Sequence, residues 1–452
     1  METTNKEHAL GHAPMLPLIL KLALPCVAAQ LINLLYNIVD RIFIGHIEGV
    51  GTEALAGVGV TTSIIILITA FSSIVSMGAA PLAAIALGKG DRDRASAILG
   101  NSVILLVAFT LITSAITYIY KEEILTRIGA SAMTLPYAAE YLKVYLGGTL
   151  FVLLSVGLNT FITLQGRATT AMGIVAVGAV LNIILDYLFI FSFEMGVYGS
   201  ALATVISQGV SASLTLLFLC SSRASLRLQR SDIRVNKGVI GAILTLGVSP
   251  FIMSSTEAFV GFALNGELMK YGDIHIGAMA IMQSALLIAA TPMMGFSQGF
   301  MPIVGYNFGA GNITRVKSCF WIAFVIMTVL NFLLTLVVIL FPGYVASFFS
   351  NDTELIEAMT EVAPTFFLGM LLFGMQRACQ GQFIALGQAK VSIFIALLRK
   401  VILLIPLVFI LSDAMGVMGV YCAEAIADGS AAIICLTIFL YRFPRIIRHI
   451  KR

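Results

Sequence analysis

The chain reads as an all-α integral membrane protein, with twelve transmembrane helices in two parallel, pseudo-symmetric six-helix bundles. Three observations predict this. First, of 452 residues 59% are hydrophobic and only 11% charged, with a mean hydropathy of +0.99. A soluble domain needs roughly 25% charged residues, so most of this exterior must face lipid. Second, apolar runs of spanning length recur along the whole chain. Third, its two halves repeat each other.

The runs, each long enough to cross a bilayer, fall near 16–44, 52–86, 97–118, 137–164, 171–193 and 196–220, then near 239–268, 276–307, 318–342, 362–386, 391–412 and 415–441. The polar start, METTNKEHALGHAPM, lacks the basic residues and small-residue cleavage site of a signal peptide, so the first run is expected to span. The second and eighth runs are overlong, and breaks or tilts are expected at Pro81, Pro292 and Pro302. Basic residues crowd alternate connections: Lys89, Arg92 and Arg94, then Arg167, then Arg223 to Lys237, then Arg315 and Lys317, then Lys390, and finally Arg442 to Arg452. The positive-inside rule then puts both termini in the cytoplasm, which requires an even number of spans.

The net charge of +4 is too small for a nucleic-acid footprint, and none is expected to bind. Six cysteines stand singly, mostly within apolar runs, without metal-ligand spacing or a disulfide framework.

The repeat is exact in spacing over one segment. Gly78-Ala-Ala-Pro81, Gly88, Gly90 and Arg94 answer Gly299-Phe-Met-Pro302, Gly309, Gly311 and Arg315, each pair 221 residues apart. Phe161-Ile-Thr-Leu164 answers Phe383-Ile-Ala-Leu386, and Met195-Gly-Val197 answers Met415-Gly-Val417. Because six spans is an even number, the copies enter the membrane in the same orientation, with a cavity expected between them, the plan of an alternating-access carrier. The expected organisation is a cytoplasmic tail over 1–15, bundles over 16–222 and 238–441, a basic linker over 223–237 and a basic tail over 442–452.

An ionisable side chain at mid-bilayer costs about 2.5–3.5 kcal/mol on insertion scales, so each one needs a reason. Asp40 in the first run shares a helical face with Asn33, Tyr36 and Asn37; Asp186 in the fifth shares one with Asn182. Counting residues at 1.5 Å each places Asp40, Asp186 and Thr204 of the sixth run about 7–12 Å below the outer surface. Two carboxylates, an amide and a hydroxyl at one depth suit Na⁺, or the carboxylates share a proton. The competing reading, helix-bridging hydrogen bonds, suits Asn33, Asn37 or Thr204 alone better than paired aspartates, since neutral groups bridge at lower cost.

The second half does not copy this set: Asn265, Pro406 and Glu424 stand in the places of Asp40, Asp186 and Thr204. Its acids are Glu257, Glu424 and Asp428, candidates for lining a substrate cavity together with Gln283 and Gln298. Glu424 and Asp428 lie one turn apart at the depth of Arg399 and Lys400, so structural ion pairs compete with that role. Glu257 has no base within a turn, and either a cationic substrate or a second coupling proton would suit it. Arg41 and Arg377 read as snorkelling or pairing groups. There is no Walker A motif, HExxH, Cys/His cluster or nucleophile elbow, so an enzyme is not expected; the energy is expected from an ion gradient, with no cofactor beyond Na⁺ or H⁺ as coupling ion.

LALPCVAAQLINLLYNIVDRIFIGHIEG, SMGAAPLAAIALGKGDRDRA, LNIILDYLFIF and QGFMPIVGYNFGAGN together resemble the multidrug and toxic compound extrusion (MATE) family, most closely its MepA-like bacterial branch. The resemblance runs from about Met15 to the end. It implies two six-helix bundles around a V-shaped cleft in a bacterial cell (inner) membrane, exporting cationic lipophilic compounds by antiport against H⁺ or Na⁺, as a monomer without an obligate protein partner. It also implies a coupling-cation site at Asp40, Asn182, Asp186 and Thr204. Another branch uses acids in the seventh and tenth spans; Glu257 resembles the first, but the tenth span here has no acid at membrane depth. MepA-like relatives often carry Pro directly after the fifth-span aspartate, where this chain has Tyr187. The alternatives are a lipid-linked precursor flippase or another organic-solute carrier of the same superfamily. A flippase would want a cationic cavity where this one is acidic. A major-facilitator carrier or a membrane-embedded enzyme fits the motifs less well.

Overall fold

The computed structural model describes residues 9–349 and 352–448. Twelve spans follow in order. The N-lobe holds α1 (Met15–Gly45), α2 (Gly51–Gly88), α3 (Arg92–Ile128), α4 (Leu135–Thr163), α5 (Ala168–Ser192) and α6 (Gly196–Cys220). The C-lobe holds α7 (Lys237–Tyr271), α8 (Ile274–Gly309), α9 (Ile313–Leu340), α10 (Thr353–Phe367 with Gly369–Ala385), α11 (Ala389–Met415) and α12 (Val417–Arg448). The first eight residues of the expected N-terminal tail, and residues 449–452 of the C-terminal one, lie outside the described residues.

The duplication is visible in the connections. Gly90 and Gly311, repeat mates, both take positive φ (78° and 73°), which lets the chain turn directly into the next helix. The residue after each, Asp91 and Asn312, caps that helix by accepting from the backbone N–H of Arg94 and Arg315. Gly166 and Gly387 repeat the positive φ one hairpin later.

The expected breaks are only partly where the prolines stand. In α2 the helix widens to a π turn over Ile74–Ala79 just before Pro81, whose missing N–H leaves the Met77 carbonyl without a donor. In α8, by contrast, the α-helix runs unbroken through Pro292 and Pro302. A bend of 42° lies in α10 beside Gly369. A Cβ on Gly369 would stand 2.0 Å from the Ala425 carbonyl oxygen, so only glycine lets α12 approach there. Leu368 at the break is exposed, but Gly369 and Met370 just after it are buried, and the side-chain amide of Asn331 on α9 satisfies the Met370 carbonyl at 2.7 Å.

The lobes meet through pairs related by the repeat, α1 against α8 and α2 against α7. A Cβ on Gly78 would fall 2.6 Å from Gly247 Cα, and one on its mate Gly299 would fall 2.3 Å from Ala23 Cα. Gly88 and Gly309 bring α2 and α8 equally close, against the backbones of Tyr306 and Ile85. All these contacts lie toward the ends of α2 and α8 that carry the basic connections. There the turn before α1 is also tied down, with Asn307 donating to the Leu10 carbonyl and Arg315 to that of Ala13. Toward the other end, Leu31, Leu35 and Ile38 of α1 and Leu287 and Ile288 of α8 are exposed. The lobes are closed on the basic side and part on the other.

Candidate functional site

At the apex of the closed contact, Gln30 donates to Gln298 across the lobes at 3.1 Å. Above it lies a cavity of about 110 Å³ reaching into the N-lobe, its wall including Asn33, Tyr36, Asn182, Thr204, Gln208 and Gln298. Gln208 donates to the Tyr36 hydroxyl at 3.5 Å, and Asn182 to Thr204 at 3.4 Å.

One helical turn beyond Tyr36 and Asn182 stand the two acids. Asp40 is 7% exposed and Asp186 fully buried, close enough that the charge of Asp40 acts on Asp186. Ser200 of α6 donates to Asp40 at 2.6 Å. Neither oxygen of Asp186 receives an N–H or O–H donor, although both are buried. Arg41, the base whose charge acts on Asp40, is exposed and turned to Thr62 on α2 at 3.3 Å. The pocket therefore contains two carboxyls and no counter-charge among the described residues. In such a place a carboxylate must take up a proton or a cation.

Asp40, Asn182, Asp186 and Thr204 thus come together from α1, α5 and α6. Tyr36 and Asn33 face the adjoining cavity. Asn37 does not join its wall: it is exposed, its amide donating to the Asn33 carbonyl at 2.7 Å. Two further groups were not singled out from the sequence. Ser200 lies one turn from Thr204 on the same face, a spacing that would have pointed to it. Tyr141 of α4, buried beside Thr204 and both aspartates, carries no such signal. The α-helical part of α5 runs to Tyr187 and widens directly to a π turn over Leu188–Ser192.

The C-lobe candidates behave differently. Asp428 is held by Arg399 in a two-pronged pair at 2.5 and 3.0 Å, and Glu424 by Lys400 at 2.8 Å. Arg399 and Lys400 sit in a π turn over Leu398–Leu404 ahead of Pro406, which cannot donate to the Ile402 carbonyl. Glu257 and Gln283 are exposed. Arg377, expected to snorkel or pair, makes no ion pair with any described residue; it is 8% exposed and only its Nε is shielded without an acceptor.

Two membrane-embedded lobes, closed at one end around a polar cavity, define a secondary transporter rather than an enzyme. The MatE family model matches residues 25–188 and 250–410, and the chain belongs to that family. It is 26% identical over 428 residues to the multidrug export protein MepA of Staphylococcus aureus (strain MSSA476), covering 94% of each chain. To MepA of Staphylococcus haemolyticus (strain JCSC1435) it is 25% identical over 417 residues, covering 92% of this chain and 91% of that one. Among solved structures, a transporter of the MOP superfamily from Pyrococcus furiosus superposes with a TM-score of 0.90 at 21% identity, over 98% of each chain; its title reports a binding pocket of reverse polarity. An outward-facing multidrug resistance MATE transporter superposes with a TM-score of 0.88 at 20% identity, over 96% of each chain.

Proposed function

We propose that the protein exports cationic, lipophilic organic compounds from a bacterial cell by antiport against H⁺ or Na⁺, with the basic connections and both termini in the cytoplasm. The reading rests above all on the buried Asp40–Asp186 pair, which forms no ion pair among the described residues, since Arg41 is turned to Thr62, and which adjoins the cavity reaching into the N-lobe. Asp40, Asn182, Asp186 and Thr204 supply hard oxygen ligands for Na⁺; alternatively, the two carboxyls hold one proton between them. Either ion cancels one of the pair's two negative charges, and its release restores the full charge, which favours an arriving organic cation. The basic side is cytoplasmic by the positive-inside rule, so the described conformation opens outward.

Proteoliposomes loaded with a fluorescent cationic dye and given separate Na⁺ and H⁺ gradients test this. One gradient is expected to drive dye movement in the wild type and neither in Asp186→Asn. Dye movement in the variant at the wild-type rate would remove the coupling role.

A further inference from the structure

Three acids and three bases gather in the C-lobe, and their pairing leaves one base over. Asp428 takes Arg399 and Glu424 takes Lys400. Arg377 on α10 is more than nine-tenths buried, its Nε is shielded from solvent without an acceptor, and it forms no hydrogen bond with any described residue. Its guanidinium lies 6.0 Å from the centre of the Phe373 ring, which also carries Arg399 at 4.7 Å. A second fixed positive charge therefore stands beside it. Glu257 of α7 acts on both guanidiniums through space, bonds to neither and is exposed.

The shielded Nε–H lacks an acceptor, which is costly, while the two terminal nitrogens are not shielded and stay open to an arriving acceptor. The Phe373 face supports the planar cation but accepts none of its N–H bonds. Arg399 raises the local positive potential, yet its own fork is spent on Asp428. The open donors of Arg377 suit a planar, two-oxygen acceptor, and the charge of Glu257, which bonds to no described residue, reaches the same guanidinium.

We propose that Arg377 anchors a carboxylate on the transported molecule while Glu257 receives its cationic end, so that the C-lobe selects zwitterions over simple cations. This rests on reading the chain as an exporter of small organic ions and narrows the class it takes. In the empty protein Glu257 balances Arg377 at a distance; the bound carboxylate takes over at contact.

A xanthene dye carrying a free carboxylate and the methyl ester of the same dye differ in that one group. Binding of each to the purified, full-length protein in nanodiscs is measured by fluorescence anisotropy. The wild type is expected to hold the acid about tenfold more tightly than the ester, as a charge-assisted bidentate bond allows. Arg377→Gln is expected to erase that preference, and Arg377→Lys, which keeps the charge but loses the fork, to reduce it. No preference in the wild type, a preference undiminished in either variant, or equal weakening of both dyes by Arg377→Gln would overturn the proposal. Should the glutamine variant not fold, the lysine variant decides on the same readout. Binding needs no gradient, so this measurement stands or falls separately from antiport, which gradient-driven export of the ester by the wild type tests.

Discussion

Both lobes bury a pair of acids, and their surroundings differ completely. In the C-lobe, Glu424 and Asp428 face Lys400 and Arg399 across the α11–α12 contact, each within hydrogen-bonding distance. In the N-lobe, Asp40 and Asp186 lie close enough for the charge of one to act on the other, and Asp186 receives no donor from any described residue. A paired buried carboxylate is neutralised where it stands and ties helices together; an unpaired one requires something from outside. The same residue type thus serves as scaffold in one lobe and as candidate machinery in the other, and the deciding feature is what stands opposite.

Four experiments sharpen or break this contrast. The largest effect is expected from Asp40→Asn or Asp186→Asn, which should reduce gradient-driven dye efflux to that of protein-free vesicles while leaving the protein inserted and monodisperse. Efflux persisting in both would erase the functional side of the comparison. Asp428→Asn, by contrast, leaves Arg399 buried without its counter-charge. It should destabilise the fold by about 3–5 kcal/mol, seen as a lower thermal midpoint in detergent. Replacing both partners, Arg399→Met with Asp428→Leu, should recover most of that loss; no recovery would mean the pair does more than hold α11 to α12.

Gly88→Val tests the closed side. Its Cβ would meet the Tyr306 carbonyl oxygen at 1.9 Å, and overpacking of this kind costs about 1–3 kcal/mol. Spin labels at Lys89 and Gln388 should read a longer distance in the variant, and an unchanged distance would show that the lobes close without that contact. The smallest effect is expected from Ser200→Ala, which removes the hydrogen bond donated to Asp40. It should weaken the apparent affinity for the coupling ion by about threefold to tenfold without abolishing export. A total loss would place Ser200 among the essential ligands.

Much of this molecule was legible in one dimension. Spanning length and hydropathy are local properties, so all twelve spans could be located from residue order, including the overlong second and eighth. The offset between Gly78-Ala-Ala-Pro81 and Gly299-Phe-Met-Pro302 disclosed the duplication because each half needs glycine where α2 and α8 touch the opposite lobe. Asp40, Asn182 and Asp186 stood out since helical periodicity shows which residues share a face, and a charge in an apolar run has few innocent explanations.

Contacts between helices distant in sequence were decided only by packing. Nothing in the order of residues says that Ser200 meets Asp40, that Tyr141 reaches the same pocket, or that Asn331 satisfies the bend in α10. Pro302 and Pro81 are repeat mates, yet α8 stays regular where α2 widens, because neighbouring helices determine how a missing N–H is accommodated. Arg377 is the sharpest case. The sequence showed it as one charge among many in the C-lobe, and only three-dimensional pairing left its Nε without an acceptor. Periodicity reveals which face a side chain occupies, whereas its partner depends on distances between helices that no local rule encodes.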